Sequence, residues 1–407
     1  MVPGAAHHSR ADRHGYSAGV RQSPFFSKHS VRLIRKNKPD VFRGCGQNPL
    51  PRVYFFPDLW YDHSIKSQTR GDRVYFKDSL RYRQSWLGIA MLWVMLFHLP
   101  FQFKADLLNF AHLTGYGGVD ICFFASGIGC YYSLTSNPDL GSFMKRRLKR
   151  LMPTYLIFIV FWLIYQYIIG CFDLQMAIGN LFAVHYLTGL DGSFNWYISA
   201  IFLFYLLAPY FKAIIDKGTT RGKWLFLLFL LLVSVPFWTM DLYIVIVVRL
   251  AVFYIGMLFA DLCKRSVQVT RRHIAIGAVM LIAGMAMLAC FYYFLPNQLW
   301  SYGLFWYPFV LMTVPLCMLI SLVVFWMEKS RITRPIVSFF SLCGKYSFEL
   351  YLIHLPLIDI IHAYMKKNDI YAEEHPLWLV GIPLLVICCF ILKQLTDLYE
   401  KLRSKAA

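Results

Sequence analysis

From Ser85 onward the sequence is built from ten apolar runs, most of them close to the ~20 residues a helix needs to cross a hydrocarbon core. No other feature restricts the fold so strongly. The first run is Ser85–Phe101. The others lie near 118–135, 153–171, 196–215, 224–240, 242–260, 274–294, 304–327, 340–363 and 376–397. A backbone in lipid has no water to bond, so only helices or closed barrels can span. Barrel strands would be short segments of alternating polarity, whereas these runs are continuous. The predicted fold class is therefore all-α: a polytopic membrane protein with about ten transmembrane helices. The composition agrees, with 58% hydrophobic residues in 407 against roughly 45–50% in soluble domains. The division between 224–240 and 242–260 is the least marked and rests on Pro236 and Asp241.

The charge pattern orients these helices. Arg146, Arg147 and Arg150 with Lys145 and Lys149 fall in one loop. Lys212, Lys217, Arg221 and Lys223 fall two loops on. Lys264, Arg265, Arg271 and Arg272 follow after another two, then Lys329, Arg331 and Arg334. The intervening loops hold only Lys104, Lys366 and Lys367. A positive-inside reading places both termini in the cytoplasm. It also divides the chain into a basic N-terminal tail (1–74), a membrane domain (75–400) and a short basic tail (401–407).

The formal charge is +19, of which +10 precedes residue 85. Residues 1–72 have no sustained periodicity and no apolar core of a signal peptide, so disorder is expected. Translation from an internal start near Val74 is the other reading, since no methionine lies between Met1 and Met91. No nucleic-acid motif accompanies the basic residues, and no nucleic-acid partner is expected. Nine of the ten cysteines fall in or beside apolar runs without metal-ligand spacing. Neither a disulfide framework nor a metal site is expected.

Ionisable residues inside a membrane helix are costly and mark function by default. His98 lies near the outer end of the first run, Asp120 just inside the second and Arg249 about seven residues into the sixth. Counted at ~1.5 Å per residue, these three sit at similar depth. His98 and Asp120 are on consecutive helices. A carboxylate beside an imidazole raises its basicity and fixes its tautomer, which makes a general base. The blander alternatives are a His98 hydrogen bond to a neighbouring helix and an ion pair between Arg249 and Asp120. Gln102 shares a face with Met91, Met95 and His98. Ser126 and Gly127 read as packing residues. Tyr351 and His354 share a helical face with Ser347. The basic residues 145–150 serve topology or recognise phosphates, and Pro153 suits the first turn of the helix that follows.

Taken together, these motifs resemble acyltransferase family 3, integral-membrane acyltransferases that modify bacterial surface glycans. The elements that resemble it, in order, are Gly88-Ile89-Ala90 through His98, and Gly118-Val119-Asp120 through Gly127. Next come Arg147, Arg150 and Pro153, then Trp196 through Tyr205 with Pro209. Arg249 with Phe253 and Gly256 follows, and Gly344, Ser347, Tyr351, Leu352 and His354 close the series. The likeness covers about residues 75–400. Two positions depart from it. Many members carry arginine where this chain has Leu87, and Arg83, one turn earlier on the same face, is the substitute. Many carry glutamate where this chain has Ile201.

What the resemblance implies is transfer of an acyl group, usually acetyl, from cytoplasmic acyl-CoA to a carbohydrate hydroxyl or glycolipid met at the outer side of the inner (cytoplasmic) membrane. Acyl-CoA would be a co-substrate, with no bound cofactor. His98 would take the acceptor's proton and Asp120 would orient it. Arg249, Arg147, Arg150 and Arg83 would hold the donor or the oxyanion. Gln102, Ser126, Trp196, Tyr351 and His354 would support the site or touch the acceptor. The alternative function is a secondary transporter using the His/Asp/Arg layer as a relay. Such transporters carry internal repeats, and none is evident here.

Overall fold

The computed structural model describes residues 74–99, 103–188, 195–294, 303–368, 370 and 377–406. The expectations for residues 1–73 and for Gln102 lie outside these. Thirteen α-helices occur among the described residues: α1 (Arg83–His98), α2 (Asp106–Leu113), α3 (Gly118–Ser136), α4 (Leu140–Ile168), α5 (Leu174–Leu181), α6 (Trp196–Lys217), α7 (Thr220–Ser234), α8 (Asp241–Lys264), α9 (Arg271–Phe294), α10 (Tyr307–Lys329), α11 (Arg334–Lys345), α12 (Ser347–Lys367) and α13 (Leu377–Ala406). The described chain is ordered from its first residues. Val269 N donates to Val74 O at 2.8 Å and Phe76 N to Val267 O at 3.2 Å, pinning the chain before α1 to the loop after α8.

Among the described residues, eight helical segments are long and apolar enough to cross a membrane: α4, α6, α7 with its 3-10 continuation to Trp238, α8, α9, α10 with the turn before it, α12 and α13. The chain is thus a multi-pass helical membrane protein. α1 and α3, both expected as spans, are not among the eight. α1 has 16 residues, about 24 Å, short of a ~30 Å hydrocarbon core. α3 has 19 residues, most of them buried, and is rich in Gly and Ser. A helix enclosed by other helices has no need of a lipid-matched surface.

Three boundaries differ from the sequence reading. The basic residues 145–150 are not a loop. They form the early turns of α4, whose first turn is capped by the Asp139 carboxylate accepting from Ser142 N at 2.7 Å. Pro153 therefore sits inside this helix rather than in its first turn. The run 340–363 breaks at Tyr346 into α11 and α12. The residues expected as a C-terminal tail continue α13 to Ala406. The division at Pro236 and Asp241 holds: α7 passes into a 3-10 turn with Pro236 in its first positions, and α8 opens at Asp241.

Two glycine crossings bring the central helices together. A Cβ on Gly127 would run into the carbonyl oxygen of Phe253, and one on Gly256 into that of Phe124, so α3 and α8 touch backbone to backbone. Likewise a Cβ on Gly88 would strike Phe340 O, and one on Gly344 would strike Gln84 O, which fixes α1 against α11. Such small-residue contacts are how helices associate where lipid removes the hydrophobic driving force. At the basic end, Asp261 of α8 accepts from Tyr131 Oη at 2.9 Å, Lys223 Nζ at 3.3 Å and Arg265 Nη2 at 2.8 Å. That node ties α3, α7 and α8.

Candidate active site

The two histidines singled out from sequence are neighbours. His98 is the last residue of α1 and half-buried, while His354 lies two turns into α12 and is 2% exposed. Their ring centroids are 5.4 Å apart, inclined at 51°. His354 Nδ1 lies 3.0 Å from Leu350 O and 2.8 Å from Tyr351 O. A carbonyl oxygen only accepts, so this nitrogen carries the proton and Nε2 holds a lone pair. His354 Nε2 is buried and has no hydrogen-bond partner among the described residues.

Asp120 and Arg249 form the second pair. Arg249 Nε is 3.3 Å from Asp120 Oδ1, and the two side chains are 1% and 0% exposed. The guanidinium also donates through Nη1 to Val245 O at 2.9 Å. It is held between two indoles, with Trp196 at 5.1 Å and Trp306 at 5.4 Å. A cation on aromatic faces and beside a carboxylate recovers part of its lost hydration. The carboxylate offered by sequence to His98 is thus engaged by Arg249, the other pairing the sequence left open.

Aromatic side chains join the pairs. The Tyr351 ring lies 6.0 Å from that of His354 and 5.1 Å from that of Tyr197. Tyr197 N donates to Tyr351 Oη at 3.3 Å, and Tyr197 Oη meets half-buried Ser126 Oγ at 3.5 Å. Trp196, the next residue back, closes on Arg249. Tyr116 donates to Phe305 O at 3.0 Å, packs 5.5 Å from Phe97 and lies within Coulombic range of Asp120 and Arg249. Tyr116 and Trp306 went unnoticed in the sequence, and Tyr197 entered only as part of the stretch from Trp196 to Tyr205. Aromatics at the outer ends of membrane helices ordinarily read as an interfacial belt, and nothing in their spacing set these apart.

A family model described as an acyltransferase domain, that of acyltransferase family 3, matches residues 88–394. The chain belongs to this family. The match takes in both histidines, Asp120, Arg249 and the arginines of α4, and membership points to acyl transfer. No curated protein and no solved structure matches the chain.

In this acyltransferase the expected arginines gather at the opposite end of α1. Arg83 opens that helix and donates to Ala125 O at 3.4 Å, and Arg147 of α4 donates to Gly129 O. A Cβ built on Gly129 would lie 3.5 Å from Arg147 Nη1 and 3.7 Å from Arg83 Nη2, so the two guanidiniums share the space over that glycine. Arg147 also stacks on the Phe143 and Tyr205 rings at 5.4 and 5.6 Å. Arg150, exposed, lies within Coulombic range of Arg83. Among the described residues no carboxylate pairs with Arg83, Arg147 or Arg150, and the Nε atoms of Arg83 and Arg147 are buried without an acceptor. Neighbouring cations without counter-charge repel one another, and a polyanion relieves that repulsion. No cluster of three His, Cys, Asp or Glu side chains able to hold a metal occurs among the described residues.

Proposed function

We propose that the protein moves an acyl group, acetyl being the expectation, from cytoplasmic acyl-CoA to a hydroxyl of a cell-surface carbohydrate or glycolipid. One observation carries this reading: α1 begins in an arginine cluster that has no carboxylate partner among the described residues and ends at a histidine pair. Arg83 opens and His98 closes this 16-residue helix, so about 22 Å of helix axis separates them. A donor with phosphates at one end of a long pantetheine arm and a thioester at the other has the same layout. Arg147, Arg150 and Arg83 take the phosphates, with the planar guanidinium matching phosphate oxygens.

At the other end His98 takes the proton from the acceptor hydroxyl as its oxygen attacks the thioester carbon. Arg249, buried and held by Asp120 and two tryptophans, supplies a fixed positive field behind the developing oxyanion. Tyr351, Trp196 and Ser126 shape the wall on the acceptor side. Ten crossings with both termini in the cytoplasm of a bacterial inner membrane place the arginines inside and the histidines outside. That arrangement needs α1 and α3 to cross within the bundle, screened from lipid by their neighbours. The transporter alternative gains no support from the family assignment.

The test uses inside-out membrane vesicles from producing cells, which carry the native acceptor, supplied with radiolabelled acetyl-CoA. Label enters carbohydrate-containing material with the wild-type chain and not with vesicles lacking the gene. Arg147→Ala raises the KM for acetyl-CoA by roughly tenfold or more, the scale of one lost charge-assisted hydrogen bond. An unchanged KM would remove the donor role from this cluster.

A further inference from the structure

We infer that His354 is the positioning residue for His98, its Nε2 accepting a hydrogen bond from the His98 ring. This rests on the proposed role of His98 as base. A base histidine works best when a third group fixes which nitrogen carries the proton. The carboxylate nearest in sequence, Asp120, is committed to Arg249. His112 Nδ1 is also a buried atom without a partner, but the ring of His354 packs against His98 with centroids 5.4 Å apart, and its Nε2 is an open buried acceptor.

The tautomer of His354 is set by backbone it cannot escape. Both Leu350 O and Tyr351 O face Nδ1, so Nε2 always presents a lone pair in the neutral ring. A buried acceptor with no donor is costly and calls for a reason. A donor brought to it by His98 is one. At this centroid separation, two imidazole nitrogens directed at each other stand roughly 3 Å apart, which is hydrogen-bond range. The other His98 nitrogen is then the one with the lone pair, turned to the acceptor.

In the transfer the hydroxyl proton passes to that nitrogen. The hydroxyl oxygen bonds to the acyl carbon and the carbon–sulfur bond breaks. The proton then leaves on the sulfur as the thiol of CoA, so the histidines return to their starting state. While the proton is held, the His98–His354 hydrogen bond spreads the positive charge over two rings. A neutral imidazole in this role spares the site a second carboxylate, which would have to stay ionised without water.

The titratable groups facing His354 are His98 from α1 and Tyr351 on its own helix, with Tyr197 of α6 behind Tyr351. His112 of α2 is within Coulombic range of His98. The experiment repeats the vesicle assay with His354→Phe, which fills the space without an acceptor, and His354→Gln, which keeps an acceptor but cannot titrate. Protein amount and detergent melting are measured in parallel.

The expected result is a rate at least tenfold lower for His354→Phe, with KM for acetyl-CoA within twofold of wild type, and a rate within about threefold for His354→Gln. The acid limb of the wild-type pH profile falls with two protons, since both rings must be neutral, and that of His354→Gln falls with one. A His354→Phe protein near wild-type rate overturns the inference. So does His354→Gln losing as much as His354→Phe while present at normal level. If His354→Phe does not accumulate, the acid limb of His354→Gln decides alone, and a two-proton limb there contradicts the inference. Wild-type vesicles without label transfer would instead overturn the acetyl-CoA reading itself, and this inference with it.

Discussion

Asp120 and Arg249 illustrate what single residues can and cannot tell. Both stand out in the sequence because charge in lipid demands a partner. Their partners are set by the direction each side chain takes around its helix, and depth along the helix does not give that direction. The sequence puts His98 and Asp120 on neighbouring segments at similar depth, yet Asp120 pairs with Arg249 of α8, and the titratable groups acting on His98 are His354 and His112. The closeness of His98 and His354 likewise depends on how α12 packs on α1. The pair energetics give a test. Removing one partner of a buried ion pair leaves an uncompensated charge and typically costs roughly 3–5 kcal/mol. Asp120→Ala alone should lower the detergent melting temperature more than the double variant Asp120→Ala with Arg249→Leu. Equal or additive losses would show that the two residues are not coupled.

Elements were legible wherever the apolar period was long and uninterrupted, as in α6, α8, α9 and α10. They were not where polarity came from protein contact instead of water. The basic stretch 145–150 looks like a loop by composition, but Asp139 caps it into α4, and Arg147 lies buried over the Phe143 and Tyr205 rings. The break at Tyr346 is hidden because Lys345 and Ser347, the polar residues beside it, are too few to interrupt the apolar run 340–363. It falls next to Gly344, where α11 docks on α1. Gly127 read as a packing residue and is one. Replacing Gly127 or Gly256 by Leu forces α3 from α8 and with it Asp120 from Arg249. Overpacking costs roughly 1–3 kcal/mol and more where backbone blocks relief. The expected outcome is a lower melting temperature and lost acyl transfer, whereas the same change at lipid-facing Val279 of α9, 66% exposed, should be silent in both. A stable, active Gly127→Leu protein would contradict the crossing.

At the scale of the molecule the family and the helical membrane fold were readable from sequence, because each is written in many residues at once. The share of lipid-facing surface was not, since a run of hydrophobic residues looks the same whether it meets lipid or another helix. α1 and α3 carry Arg83, His98, Asp120 and Ser126 and yet fall outside the eight helical segments that length and apolarity mark as spans among the described residues. Site helices enclosed by lipid-facing ones follow from the need to keep charges away from hydrocarbon. The proposed ten-crossing topology predicts that single cysteines introduced at Gly218 and Ser266 react with an impermeant maleimide only after the cytoplasmic side is opened. One at Lys367 reacts in intact cells once the outer membrane is permeabilised. Reaction of Gly218→Cys and Lys367→Cys from the same side would break the topology.

The central claim is that His98 serves an acyl transfer to a surface carbohydrate, and mass spectrometry of that carbohydrate tests it most directly. Material is compared from cells with the wild-type chain, with His98→Ala at equal membrane abundance, and without the gene. The account predicts an acyl-sized mass, 42 Da for acetyl by composition (about one C2H2O added per ester), in the first strain alone. Full modification in the His98→Ala strain, or the same glycan masses in all three strains, would contradict it.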